Sequence, residues 1–404
     1  MTKTNRILIA VAAALVLCLI VLLFILLKKK PVEWTPENSL RPVNPPSLSD
    51  SRDVQSLMDA LDFSLTYLGK LEPQTPMVFG PHRFTAQQVT QSLEDFKMKL
   101  TQYGLTEAFF QYVRRNYDFY QSGSGDVLFT GYYEALLKGS TEKKGNYRCP
   151  LYKTPEDLVR VDLSQFSFYQ EHKGLPKILR GRLLEDKYVV PYYSREEIDC
   201  QQKLAGKDLE IVWIDDPVDV FFLQIQGSGI VQLEDGKELR VNYADSNGQT
   251  YRAIGRLLLQ KEALTRENVS MQSIRQYLEQ HPEEMQEIFN YNPSYVFFRE
   301  VEEGPIGSLG VPVTPYRSLA LDQRFFPNGA LCYIETQLPV FDGNGEIKEW
   351  KPYAGFTMNQ DTGGAIRTPR RADLFTGHGK ESELVAGHLK REGTFYFLIK
   401  KSHK

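Results

Sequence analysis

The residue types best suited to chemistry cluster near the C-terminus, in YAGFTMNQDTGGAIRTPRRADLFTGHG (353–379). Asp361 and Asp373 stand either side of a Gly363-Gly364 step and a basic loop carrying Arg367, Arg370 and Arg371. Two carboxylates flanking such a turn can converge on one pocket, where one can donate a proton and the other hold charge. The Gly-Gly step is expected to use backbone conformations closed to other residues. A plainer reading of the same residues makes Asp361 a turn residue and Asp373 a helix cap.

Two further stretches carry polar groups in a usable pattern. Val218–Ile225, within VDVFFLQIQGSG (218–229), reads as a strand; alternation then puts Gln224 and Gln226 on one face, followed by Gly227-Ser228-Gly229. Amides both donate and accept, which suits sugar hydroxyls and acetamido groups, although a solvated strand face explains the same spacing. VLFTGYY (127–133) is rich in strand formers, and Gly131 within it marks a bulge or a close backbone approach. Thr130, Tyr132 and Tyr133 can line a groove there, the tyrosine rings stacking on a ligand. The two tyrosines face opposite sides of a strand, so packing accounts for at least one of them.

The elements that must position these residues follow from the rest of the chain. Its 404 residues suggest two to three domains. A net charge of −3 gives no basic footprint, so no nucleic-acid partner is expected, and neutral polymers or small molecules are better substrates. The six histidines are scattered, and Cys149, Cys200 and Cys332 have no metal-site spacing and allow at most one disulfide outside the first 30 residues. Neither a GxGxxG nor a P-loop pattern occurs. No metal and no cofactor are expected.

Ile7–Leu27 is an unbroken apolar run between Lys3 and Arg6 on one side and Lys28-Lys29-Lys30 on the other, long enough for a membrane-spanning helix. It lacks a small-x-small cleavage site, and Leu17 before Cys18 spoils a lipid-modification site, so an uncleaved anchor is expected. Basic residues at both ends leave its orientation open. The proline-rich segment 31–47 reads as a spacer. Apolar stripes then predict three helices: Val54–Leu68, a second capped by Thr85, and a third through Phe109, Phe110, Val113 and Tyr117. From Val127 to about Tyr251 short strands separated by turns suggest a β-barrel or sandwich; helices return at Arg252–Lys261 and Ser270–Gln280, and the remainder is β-rich.

Six stretches in order resemble the membrane-bound lytic murein transglycosylase A family. They are FTGYYEA (129–135), DVFFLQIQGSG (219–229), NYADSNGQTYRAIG (242–255), NPSYVFFRE (292–300), VPVTPYRSLALDQRFFPNG (311–329) and QDTGGAIRTPRRADLFTGHG (360–379). The C-terminal part resembles a three-aspartate domain, whose acids fall on Asp322, Asp361 and Asp373. The resemblance implies a mainly β fold with an α-helical N-terminal region (α+β): a double-psi β-barrel with an inserted smaller β-domain and a groove between them. Its boundaries would be a barrel domain of 48–133 plus 296–404 and an insert of 134–295. It implies cleavage of the β-1,4 bond between N-acetylmuramic acid and N-acetylglucosamine in peptidoglycan, with formation of a 1,6-anhydromuramic end. Asp373 matches the catalytic acid and base, Asp361 a supporting acid, and the FTGYY and QGSG stretches the groove. The glycan strands of peptidoglycan are the implied partner, with a cell-wall synthesis complex possible beside them. The location becomes the cytoplasmic membrane with the enzyme in the periplasm, against the outer-membrane lipoprotein found elsewhere in the family. A single acid of this kind must carry a proton when substrate binds, which favours apolar neighbours and no cation in contact. Leu374 and Phe375 are the expected apolar flank, and Arg370 and Arg371 are expected to point away from Asp373.

Overall fold

Helical stripes and capping residues build the first part of the structure. The computed structural model describes residues 33–401 except 124, 171, 173, 174 and 267, and the apolar run 7–27 lies outside that range. Among the described residues no helix is long and apolar enough to cross a membrane. A short helix α1 (Pro36–Ser39) and strand β1 (Leu40–Val43) lead to α2 (Val54–Leu68). A hairpin of β2 (Pro76–Phe79) and β3 (His82–Thr85) then feeds α3 (Ala86–Tyr103), and α4 (Glu107–Asn116) follows. Thr85 caps α3 as its sequence predicts: its hydroxyl accepts from the Gln88 amide while the Gln88 side chain accepts from the Thr85 amide.

The strands that follow close into a barrel. β4 (Tyr117–Ser122) and the long β5 (Val127–Ser140) precede the insert, and β14 (Ser318–Ala320), β15 (Leu331–Phe341), β16 (Ile347–Asp361), β17 (Arg371–His378) and β18 (Lys390–Lys400) come after it. Hydrogen bonds run β18–β15–β16–β14–β17–β5, and β5 pairs back to β18, so six strands form a closed ring. The pairs β14–β16 and β17–β5 are parallel and the others antiparallel. Leu319, Leu331, Tyr333, Phe356, Leu374 and Phe397 are fully buried in its core, which the helices α2–α4 share through Leu61, Phe96 and Phe109. Each such side chain contributes about 1.5–3 kcal/mol by leaving water.

The insert continues the same sheet, because β5 is long enough to serve two structures. Its second half pairs in parallel with β11 (Ser228–Leu233), which continues to β12 (Glu238–Ser246) and β13 (Val296–Val301). Before them lie β6 (Cys149–Tyr152), β7 (Leu158–Asp162), β8 (Ile178–Leu183), β9 (Val189–Pro191), α5 (Arg195–Asp199) and β10 (Glu210–Ile214). Helix α6 (Pro217–Gln226) follows β10, and α7 (Ile254–Gln260), α8 (Met271–Gln280) and α9 (Met285–Tyr291) lie between β12 and β13. Cys149, Cys200 and Cys332 are all free thiols.

One sequence expectation fails outright. Residues 218–225 are helix, not strand. Asp216 caps the helix by accepting from the Val218 amide, Pro217 takes the first helical position, and Gly227 closes it at φ 85°. Gln224 and Gln226 therefore sit about 200° apart around a helix axis and do not share a face.

Candidate active site

Four strands from remote parts of the chain bring one row of side chains together. Asp361 ends β16 and pairs with Ala320 on β14; Ala320 pairs on its other side with Asp373 on β17; Asp373 pairs with Thr130 on β5. Cross-strand partners point to the same face. The two acids thus flank a three-residue strand at the one point where its side chain is a methyl group, with their backbones two strand spacings, roughly 10 Å, apart. The strand β14, rather than the Gly363-Gly364 step, sets their separation. Neither glycine adopts a positive φ, so the expected use of their backbone freedom is not seen.

Asp373 is 9% exposed and fully engaged. The Thr130 hydroxyl donates to its Oδ1 at 2.5 Å. Arg371 donates from Nε to Oδ1 at 2.7 Å and from Nη2 to Oδ2 at 3.0 Å, and Nη2 also reaches the Thr130 hydroxyl at 3.1 Å. The expectation that both arginines point away from Asp373 is overturned at Arg371. The reason is the strand itself: residues two apart share a face, so β17 puts Arg371 beside Asp373. Arg370 lies just before the strand, is exposed, and has no ion pair with Asp373. The same alternation corrects the apolar flank. Leu374 points into the barrel core, and only Phe375 shares the face of Asp373. Burial works against the charge of Arg371, but the Asp373 carboxylate outweighs it and holds the guanidinium above its ordinary pKa.

Asp361 lives in a different environment. Its Oδ1 accepts from the backbone amides of Ser308 and Thr362, each at 2.8 Å. Part of it remains accessible, yet the surrounding protein dominates: burial raises its pKa above the usual carboxylate value, against the lowering effect of those two donors and of Tyr132. The Tyr132 hydroxyl is buried without a hydrogen-bond partner of good geometry, although it lies near enough to feel the charges of both Asp361 and Asp373. Burial and then the Asp361 charge push its own pKa well up. Its ring leans on Phe375 with centroids 5.1 Å apart.

The remaining candidates divide by depth. A Cβ on Gly131 would lie 2.6 Å from the Ala386 Cα, so this glycine is needed for the close approach of helix α10 (Gly379–His388) to β5, as its sequence position suggested. Tyr133 is buried on the opposite face, and its backbone amide donates to Gln226 Oε1 at 3.1 Å. Gln224 is 7% exposed and its Oε1 accepts from Arg195 at 2.5 Å. Gly227 is the helix cap, Ser228 is buried, and a Cβ on Gly229 would strike Leu223 at 2.5 Å. The expected polar strip of Gln224 and Gln226 is therefore replaced by a packed junction between α6 and the sheet. Asp322 is buried and held by Arg324 Nη2 at 2.7 Å, which also binds the Arg367 carbonyl at 2.9 Å and so fixes the loop between the acids.

Sequence reasoning missed two residues. Ala320 carries no functional group and gave no signal. Tyr251, from the loop before α7, lies within the electrostatic reach of Arg371, Asp373 and Arg195. Its place in an aromatic-basic step, Tyr251-Arg252, offered only a weak clue. A cleft of about 1230 Å³ opens beside Thr130, with Trp350, His388 and Lys390 among its walls. Neither acid lines it, so depth alone does not locate the chemistry.

Comparison with known proteins places this geometry among relatives. Residues 128–299 match the MltA specific insert domain, and residues 317–399 match the 3D domain. The membrane-bound lytic murein transglycosylase A of Escherichia coli (strain K12) is 29% identical over 277 residues, which span 68% of this chain and 66% of that protein. The crystal structure of a membrane-bound lytic murein transglycosylase from Agrobacterium tumefaciens superposes with a TM-score of 0.71 at 31% identity, over 86% of this chain and 93% of the other. That of MltA from Neisseria gonorrhoeae gives 0.67 at 26% identity, over 93% and 99%.

Proposed function

We propose that this protein is a peptidoglycan lytic transglycosylase, and the premise is kinship: the chain belongs to the membrane-bound lytic murein transglycosylase A family. It cleaves the β-1,4 bond between N-acetylmuramic acid and N-acetylglucosamine and leaves a 1,6-anhydromuramic end. The observation that carries this reading to particular residues is the row Asp361, Ala320, Asp373 and Thr130 on one face of four strands.

Asp373 acts first as acid and then as base. In its protonated form it gives its proton to the glycosidic oxygen as the bond to C1 breaks. The carboxylate left behind takes the proton of the muramic O6 hydroxyl as that oxygen bonds to the same C1. No water enters, and the carboxyl group returns to its starting state. Because the nucleophile belongs to the ring under attack, its effective molarity reaches about 10⁵ M or more, which offsets the lack of a second catalytic carboxylate. Asp361 supports the positive charge that develops at C1, held in place by the Ser308 and Thr362 amides. Thr130 and Tyr132 face the sugar, while Gly131, Tyr133, Gln224, Gln226, Gly227, Ser228 and Gly229 shape the groove from behind.

The domain division read from the family extends this proposal: a barrel domain of 48–133 plus 296–404 and an insert of 134–295. Separate apolar clusters support it. One unites Leu61, Phe129, Leu319 and Phe397, and another unites Leu137, Leu223, Val231 and Val241; Phe298, on β13, joins the second cluster and so sides with the insert. The apolar run Ile7–Leu27 supports anchoring in the cytoplasmic membrane with the enzyme in the periplasm.

Digestion of purified peptidoglycan by the full chain, followed by mass analysis, tests the activity. Muropeptides one water lighter than hydrolysis products are expected, and Asp373→Asn abolishes their release while binding to sacculi persists. Full release by that variant would remove Asp373 from its role. A second reading has one observation in its favour: Asp361 is held above the usual carboxylate pKa while Asp373 is ion-paired. Asp361 would then be the acid of an inverting hydrolase and Asp373 the base, and reducing ends with a full complement of water would reveal it.

A further inference from the structure

Arg371 presents the lytic reading with a difficulty that the structure also helps to resolve. Two donors on two oxygens of Asp373 form the fork geometry of an ionised carboxylate. A carboxylate held in that way has no proton to give a glycosidic oxygen, so the pair must open before chemistry. The arginine is the outer partner: its side chain is 31% exposed against 12% for Asp373, so an incoming sugar meets the guanidinium first. Among the described residues no other cation is paired with Asp373. An arginine leaves one planar acceptor most readily for another of the same kind, since the fork is then refilled.

We propose, on the lytic reading above, that Arg371 selects stem-free muramic acid over N-acetylglucosamine: its guanidinium leaves Asp373 for the free lactyl carboxylate of the bound ring, and this exchange frees Asp373 to face the glycosidic oxygen. The two sugars of the strand differ in the lactyl ether alone. N-acetylglucosamine offers Arg371 nothing equivalent and leaves the clamp shut. A residue that reads the lactyl group at the acid therefore decides which of the two alternating bonds is cut. Other groups around Asp373 have fixed tasks: Thr130 donates to it from β5, Tyr132 and Asp361 close one side, and Tyr251 reaches it from the insert. Arg371 is a positioning residue in this scheme, since it acts through Asp373 and the substrate's lactyl group.

The test uses the full chain in detergent and two ligands. One is a set of denuded glycan strands with free lactyl carboxyls, followed by initial rates; the other is an N-acetylglucosamine hexamer, used as a competitor. Arg371→Gln is expected to raise KM for the denuded strands by roughly 10- to 100-fold, the worth of one or two charge-assisted hydrogen bonds. The inhibition constant of the hexamer should stay within about two-fold, and Arg371→Lys should fall between. A parallel change for both ligands, or none for either, overturns the proposal. Should Arg371→Gln fail to fold, the unmodified protein decides: denuded strands whose lactyl carboxyls have been reduced to alcohols should compete at least about ten-fold less well than native ones. Equal competition overturns the proposal. Release of anhydro ends without this selectivity removes only the role given to Arg371. Failure of the unmodified protein to make anhydro ends removes the lytic reading, and the selectivity with it.

Discussion

Replacing Asp50 by Asn should strongly destabilise this protein, because it strands a buried cation. Arg317 and Asp50 have fully buried side chains and pair through Nη1 and Oδ2 at 2.5 Å and through Nη2 and Oδ1 at 3.2 Å. Breaking a buried pair from one side costs about 3–5 kcal/mol, most of it the penalty of the charge left behind. Arg317 keeps three neutral acceptors, the Ser56 hydroxyl at 3.0 Å and the Phe356 and Asp53 carbonyls at 2.9 Å, so the lower end is expected. A loss of about 3 kcal/mol lowers the folding equilibrium constant by roughly two orders of magnitude. With about 2.1 cal/mol/K of unfolding entropy per residue, a unit the size of Pro36–Lys404 should melt roughly 4 °C lower. Thermal melts followed by circular dichroism give the shift. The double variant Asp50→Leu with Arg317→Met should recover most of it, because it removes both charges together. If the double variant melts as low as Asp50→Asn, lost packing rather than an uncompensated charge is the cause, and the reasoning fails.

Three further outcomes follow from the site. Burial holds the Asp361 carboxyl above its ordinary pKa, so the folded state keeps its proton to higher pH than the unfolded chain. Its contribution to stability is full in acid and declines as pH rises through that raised value, so Asp361→Asn should melt higher than the unmodified protein at pH 7, with the gain vanishing below about pH 4; a pH-independent difference would contradict this. Gly131→Ala drives a methyl carbon against the Ala386 backbone and should cost about 1–3 kcal/mol in urea unfolding, with loss of lytic activity as α10 shifts; unchanged stability would mean that helix gives way freely. Gln224→Leu should cost about 1–3 kcal/mol by leaving Arg195 short of an acceptor while KM for glycan stays within about two-fold, and a large rise in KM would restore Gln224 to the groove.

How much of this was legible in the chain depends on the range of the forces involved. Stripes and caps are local, and they locate α2, α3 and α4 with Thr85 as the cap of α3, although Tyr117, expected on the third helix, opens β4 instead. The helix α6 was misread for a physical reason: it is buried nearly all round, so its apolar residues carry no period, and Val218, Val220, Phe221 and Phe222 imitate a strand. The correct signals were the terminal ones, Asp216-Pro217 and Gly227. Arg371 was misjudged because β17 was not recognised. Once Arg371–His378 is a strand, its first and third residues must share a face, and the ion pair to Asp373 becomes the default. Barrel closure between β5 and β18 joins residues more than 250 positions apart, and nothing local announces it.

The separation of the acids ultimately depends on helix α2 and the residues just before it. Strand β14 is three residues long and too short to hold itself in place between β16 and β17. Its anchors lie at its ends. The Arg317 carbonyl accepts from the Met358 amide at 2.7 Å while its side chain is gripped by Asp50, just before α2. The Ser318 hydroxyl donates to Gln360 at 2.6 Å, and Gln360 in turn donates to the Ala60 carbonyl at 2.7 Å and the Ser64 hydroxyl at 3.0 Å, both on α2. Gln360 is the residue before Asp361, so the same network that seats β14 also fixes the last turn of backbone under the second acid. Buried polar groups of this kind are costly unless every partner is present, which makes their arrangement rigid when complete. The distance between Asp361 and Asp373 is thus set through Asp50 and helix α2, which seat β14 and the end of β16 together.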